Sequence, residues 1–399
     1  MRKRLNRWLV AFLHGIVLFI ISWIWLSFYT TYGSEQMLIQ WASVIKRTVL
    51  QMDEDPGKDE YLFINLSYDK TLVPSTEVLG NDVITDRCKI SQFMSVLKRN
   101  PNAFKFAFCD VYLAGDTECD STLNQSVSGL KNIAFPVHYL GTDTLDIPKF
   151  NTNYGIADYE TNDDEDAFLK FKMVQNGEYP SIPAYIYKTL DGGNIKEGKF
   201  VNTDNGTPIF NSMIIDFPIR AFEVFENNEY PVVNLSELLM LPEDILVNDF
   251  LKNKVILLGD FKNDVHDTMY DDTPGTLILL NVYLTLKNGL HKVSLLWVLM
   301  MLLFFTLVSY YIFNHERAQT KLEKHRKYSF LASMLNYLIV FGAISIASYI
   351  FFNVYINILI LALYANCLAF MVGVFKKTKH FPKPIDIFND IKEFYFSFK

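Results

Sequence analysis

The longest apolar runs of this 399-residue chain contain no Asp, Glu, Lys or Arg. Proton and ion pathways across a bilayer are normally built on such groups, so their absence excludes an ordinary pump or transporter. The chain also lacks a basic excess: 37 Lys and Arg stand against 44 Asp and Glu, a formal net charge of −7. A nucleic-acid partner, whose phosphates need a basic face, is excluded on that ground. Catalytic signatures are missing as well. There is no G-x-S-x-G elbow, no H-E-x-x-H pair and no phosphate-cradling glycine loop, and Gly141 and Gly192-Gly193 are isolated turn residues. His138 and His266 have no partners at metal-ligand spacing, so neither a metal nor a cofactor is expected, and the chain is not read as an enzyme.

What the sequence has instead is apolar residues gathered in blocks. Half of all residues are hydrophobic and 33 are Phe, the distribution of a membrane protein. Four transmembrane helices are expected. The first is 8–29, preceded by Arg2, Lys3, Arg4 and Arg7; it exceeds an ordinary signal-peptide core and no small-x-small cleavage site follows, which favours an uncleaved anchor. The others are 294–313, 330–352 and 354–375, the last two sharing a run too long for one helix. The N-terminus 1–7, the loop 314–329 (Arg317, Lys321, Lys324, Arg326, Lys327) and the tail 376–399 are basic, whereas the turn near Asn353 is uncharged. Four spans put all three basic segments on one side, the cytoplasmic one by the positive-inside rule, and segment 30–293 on the other. His14 is the only ionisable residue of note inside a span and is expected to face a neighbouring helix.

Within 30–293, Ser34 to Leu50 reads as a helix leaving the membrane, with Leu38, Trp41, Val44, Ile45, Val49 and Leu50 on one apolar face. Strands are expected at Tyr61–Leu66, Ala103–Phe108, Asn132–Val137 and Met213–Phe217, and helices at Cys88–Arg99 and after Pro180-Ser181. Strand and helix alternating over connections this short imply right-handed crossovers and a largely parallel sheet. Asp120 is placed equally well as a helix cap and as a ligand contact. The acidic run Asp163 to Asp166 lacks the alternation and glycine of a calcium loop and is expected to be a solvated hairpin tip.

The stretch Lys252 to Leu286 organises the rest. Val255 to Leu258 is a short apolar run ended by Gly259, as a buried strand would be. Asp264, His266, Asp267, Asp271 and Asp272 cannot all be packed away, so this loop belongs at the surface beyond the strand's carboxyl end. Thr273, Pro274 and Gly275 punctuate it, and Leu277 to Leu286 restarts an apolar helix. This strand, loop and helix resemble the C-terminal signature of the CHASE type-2 domain, an extracytoplasmic sensory module of bacterial membrane receptors. The matching positions are Lys252 and Lys254 with Val255 to Gly259, Asp264 with Thr268, Pro274 with Gly275, and Asn281. Met269, Leu279 and Leu280 stand where that family usually has a Pro and a His-Ala pair, so no role resting on those residues carries over.

The resemblance implies an α/β extracytoplasmic domain with a largely parallel mixed sheet, in the inner membrane of a bacterium. It also implies sensing of a ligand or protein outside the cell. The N-x-S/T sites at Asn65, Asn124, Asn205 and Asn234 are then expected to be bare. Asp69, Asp110, Gly259, Asp260, Asp264 and Thr268 map to the carboxyl ends of the strands, where open α/β sheets take their ligands, and are the candidate ligand-binding residues. Cys109 and Cys119 flank one loop and form a possible disulfide, a pairing the odd number of external cysteines leaves open. Family members commonly carry an output domain after the last span. Here residues 376–399 are far too few for one. The expected partners are therefore the lipid bilayer and a separate cytoplasmic effector reached through 314–329 and the amphipathic tail 376–399. Two rivals remain, a structural membrane component with a constitutive outer partner and an extracytoplasmic hydrolase using Asp110 or Asp264.

Overall fold

The computed structural model describes residues 2–26, 33–52, 56–74, 80–113, 115–140, 144–158, 169–173, 179–198, 201–270, 272–314 and 329–378. The acidic run at 163–166, the basic loop 315–328 and the tail 379–399 lie outside them. The chain divides into two compact units: residues 1–28, 37–43 and 293–399 form one, and residues 29–36 and 44–292 the other.

The first unit holds three helices long and apolar enough to cross a bilayer, as in a multi-pass membrane protein: Asn6–Leu26, Leu295–Asn314 and Leu335–Phe352. A further helix runs from Ile358 to Thr378, with a shorter apolar stretch at Ile358–Ala369. The break between the last two falls at the expected place. Asn353 takes a left-handed conformation (φ 54°), and the hydroxyls of Ser348 and Ser345 donate to the carbonyls of Val354 and Ile356 at 2.6 and 2.9 Å, satisfying backbone that no helix pairs. His14 faces its neighbours as expected: Nδ1 lies 2.7 Å from Ser309 Oγ, and Nε2 lies 2.9 Å from Tyr364 OH.

The second unit is built on a seven-stranded sheet. Its strands are Tyr61–Asn65 (β1), Phe106–Asp110 (β2), Ile133–Leu140 (β3), Thr144–Asp146 (β4), Tyr154–Ile156 (β5), Val232–Asn234 (β6) and Val255–Gly259 (β7). Their order is β6-β1-β7-β2-β3-β4, with β5 also paired to β3; every pairing is parallel except that of β4 with β3. The central strands carry apolar residues on both faces, because helices cover both. Leu62, Ile64, Ala107, Ile133, Phe135, Ile256 and Leu258 pack under the helices Arg87–Arg99, Asp120–Val127 and Leu235–Leu239. Tyr61, Phe63, Phe106, Phe108, Val255 and Leu257 point the other way, where the helices Gly275–Lys287 and Ile182–Asp191 lie. Helix Arg87–Arg99 buries Ile90, Phe93, Met94 and Leu97, the predicted stripe, and is capped by Asp86, whose carboxylate accepts from the amides of Cys88 and Lys89.

Two features refine the sequence reading. The helix Gly33–Val44 is present and continues as a π-helical turn at Ile45–Val49, and its apolar face is turned outward: Trp41 is 63 % and Val49 71 % exposed. The buried stripe is instead Glu35, Ile39, Ala42, Ser43, Lys46 and Arg47, at i+3 and i+4 spacing that runs unbroken from the helix into the turn. Lys46 Nζ donates to Asp216 Oδ1 at 2.8 Å, and the Arg47 guanidinium donates to the carbonyls of Asp216 and Phe217. The predicted strand at Met213–Phe217 shortens to Ser212–Ile214 and leaves the main sheet, pairing with Lys170–Lys172.

Candidate functional site

The carboxyl edge of the sheet gathers the ends of β6, β1, β7 and β2 in one row. The parallel register sets Asn65 beside Asn234 and Gly259, and Gly259 beside Asp110. Apolar strands end there and polar loops begin, so hydrogen-bonding side chains from distant parts of the chain converge.

Half of this edge is a closed network. Asp69 is 1 % exposed; its Oδ1 accepts from Lys89 Nζ at 2.7 Å and from the Ser236 hydroxyl, while its Oδ2 has no partner among the described residues. Asp260 accepts from Ser67 Oγ and Lys70 Nζ, both at 2.7 Å, and from the Asn263 amide at 2.9 Å. Burial alone would raise the Asp260 pKa, but Asn263, Lys70 and Ser67 outweigh it and hold the carboxyl well below the usual range. Asn65 donates to Asn234 at 3.2 Å and accepts from Ser67 at 2.6 Å. Both carboxylates of this half therefore face lysines.

The other half is different. Asp110, at the end of β2, accepts from Thr276 Oγ1 at 3.1 Å. Gly259 makes that approach possible, since a methyl group there would lie 2.0 Å from the same hydroxyl. Asp264 Oδ1 lies 3.0 Å from His266 Nε2, and a methyl on Gly275 would stand 2.8 Å from Asp264 Oδ2 and 3.3 Å from the imidazole. The missing side chain of Gly275 thus lets both groups rest against the first turn of helix Gly275–Lys287, whose positive end favours the carboxylate. On the neighbouring strand His138 Nδ1 lies 2.6 Å from Asp158 Oδ1. Burial, then the nearby Asp264 carboxylate, push the Asp110 pKa up to about 7. His266 is raised by its bond to Asp264; burial lowers His138, but the Asp158 bond and the charges of Asp158, Asp110 and Asp264 together raise it.

The six candidate residues are therefore not one constellation. Asp69 and Asp260 belong to the lysine-neutralised half, while Asp110, Gly259 and Asp264 meet through Thr276 and Gly275. Thr268 is buried just after the first strand of the short hairpin Val265–Asp267/Asp272–Pro274, at its turn end, its hydroxyl 3.2 Å from Thr273 Oγ1. Thr276, His138, Asp158, Lys89 and Ser236 escape a sequence reading. Only for Thr276 was there a signal, its place just after the Pro-Gly turn.

The cysteine pairing is corrected. Cys119 bonds Cys88, with Cα atoms 5.2 Å apart, and Cys109 is free and buried. The Cys109 side chain points from β2 into the core under helix Arg87–Arg99, whereas Cys88 opens that helix and Cys119 immediately precedes Asp120–Val127. Asp120 is not the residue at the cap. Its carboxylate accepts from the Thr117 amide and hydroxyl and holds the buried Arg87 at 2.8 Å, a structural tie beside the disulfide. Among the described residues one trio of possible metal donors, Cys88, Glu118 and Cys119, lies within 4.8 Å, and the disulfide occupies two of its three ligand atoms.

Compared with known proteins, the chain matches no family model, no curated protein and no solved structure.

Proposed function

We propose that the chain is a membrane-anchored sensor subunit: an extracytoplasmic α/β domain resembling the CHASE type-2 module, carried on four spans and read by a separate cytoplasmic effector. The observation that carries the outer placement is the Cys88–Cys119 disulfide, because such bonds persist in oxidising compartments and are rare where thiols are kept reduced. The basic segments flanking the apolar helices point the same way. Support for a fourth span comes from Tyr364 on helix Ile358–Thr378, which reaches His14 inside the first. A polar bond of that kind is a typical tie between helices in lipid.

The sensing element is the carboxyl edge of the sheet, and its loops lead into helix Gly275–Lys287 and on to the next span. Stimulus and signal are linked if the stimulus favours one arrangement of that edge over another. The test is topological and uses intact cells. A membrane-impermeant reagent should label a cysteine placed at Val83, which is exposed, and should leave one placed at Lys399 unlabelled. The opposite pattern sinks the proposal. Purification in mild detergent should then recover a cytoplasmic partner that is lost when 382–399 is deleted.

A further inference from the structure

The two halves of the carboxyl edge differ in one chemical respect. Asp69 and Asp260 are neutralised by lysines. Asp110 and Asp264 have no Lys or Arg partner among the described residues, and the basic group bonded to Asp264 is the imidazole of His266. Histidine is the side chain whose charge changes close to neutrality. The groups facing Asp110 are Asp264 and His266 from the loop after β7, His138 from β3 and the neutral hydroxyl of Thr276. Asp267 faces His266, and His138 is held by Asp158, with the Tyr112 ring edge-on at 5.3 Å and its hydroxyl on Asp146.

We propose that Asp110, Asp264, His266 and His138 form a proton-operated latch, so that the stimulus sensed at this edge is external pH. With protons bound, Asp110 is a neutral acid beside Thr276 and Asp264, and the two imidazolium groups offset Asp264 and Asp158. With protons lost, Asp110 becomes a second carboxylate beside Asp264 at the first turn of helix Gly275–Lys287, and neither histidine offsets them. Repulsion then acts on the hairpin Val265–Asp267/Asp272–Pro274, which joins β7 to that helix. The shifts of Asp110, His266 and His138 all have the same sign, each raised in the folded state, so each favours the closed edge at low pH and stops doing so as pH rises through its folded value. As a stimulus this rests on the sensor reading; as a property of the domain it does not.

The experiment is amide hydrogen exchange on the purified full chain in detergent, followed over 264–276 and corrected for the intrinsic hydroxide dependence. An Asp that titrates at about 7 closed and 3.8 open makes opening about tenfold more frequent at pH 8 than at pH 6. Wild type should show at least that change, confined to this edge, while the Asp69 and Asp260 loops stay constant. Asp110→Asn, which cannot ionise, should remove about a factor of ten. Thr276→Val keeps every charge but removes a hydrogen bond that favours the Asp110 carboxylate, and should move the midpoint to higher pH. Equal protection at pH 6 and 8 in wild type, an undiminished change in Asp110→Asn, or an unmoved midpoint in Thr276→Val would each overturn the latch. Because the chain is in detergent, failure here leaves the topological reading intact, and failure of the labelling test leaves the latch intact.

Discussion

Lys46 Nζ and Asp216 Oδ1 are 2.8 Å apart with side-chain exposures of 8 % and 11 %, so a buried ion pair holds the turn Ile45–Val49 to the rest of its own α/β unit. Removing one partner strands the other charge. Asp216→Ala should cost about 3–5 kcal/mol in chemical denaturation, whereas the paired replacement Lys46→Met with Asp216→Leu should recover most of that. A single mutant of unchanged stability would show that the pair is solvated in solution.

Reduction of Cys88–Cys119 reopens a loop with a sequence separation of 31, which should destabilise the unit by about 3–4 kcal/mol. Peptide mapping under non-reducing conditions should return Cys88 linked to Cys119. Cys109, whose pKa burial pushes far up, should alkylate only after unfolding.

Gly259→Ala places a methyl against the Thr276 hydroxyl and should cost about 1–3 kcal/mol in thermal or chemical melts. Thr276→Ala in the same chain should restore part of it. Additive losses from the two substitutions would contradict the contact.

The pH dependence of stability has two opposed parts. His291, buried against Asp204 at 3.1 Å, is lowered to about 4 by burial, so the unfolded chain takes up its proton first and stability falls as pH drops from 6.5 towards 4. Asp204 is lowered to about 2: burial opposes this, but bonds from Asn194, Lys292, His291 and Tyr187 prevail, and its contribution is lost as pH falls from 3.8 through 2. Asp110 acts in the other direction, its contribution declining from pH 3.8 to about 7. Thermal melts should therefore show a broad plateau between about pH 4 and 6.5, with losses on both sides. In Asp110→Asn the plateau should tilt upward with pH; in His291→Gln it should tilt downward.

The fold was largely legible from pattern. Val255 to Leu258 and Tyr61 to Ile64 are continuous apolar runs because both faces of the sheet are covered, and Ile90, Phe93, Met94 and Leu97 recur at helical spacing because one face of their helix is buried. Helix Gly33–Val44 is different. Its apolar residues do recur at helical spacing, but the buried stripe is the one with Ile39, Ala42, Ser43, Lys46 and Arg47, because Lys46 and Arg47 bond the Asp216 carboxylate and the carbonyls of Asp216 and Phe217. The site was legible only as a list of strand ends. Nothing local in the sequence ties Lys89 to Asp69 or His138 to Asp158, since those contacts depend on which strands become neighbours. The Cys109 pairing failed on alternation: strand residues point to opposite faces in turn, and position 109 faces the core.

Helix Gly275–Lys287 has no solvent side: all twelve residues from Gly275 to Leu286 are buried, and Asn281 and Thr285 bond to the backbone of Ile219 and Asp216. A rod enclosed on every flank cannot bend to absorb a push at one end, because close packing leaves no slack for local give. Whatever displaces its first turn must carry the whole cylinder, and with it the residues His291 and Lys292 that anchor to Asp204 just beyond its far end.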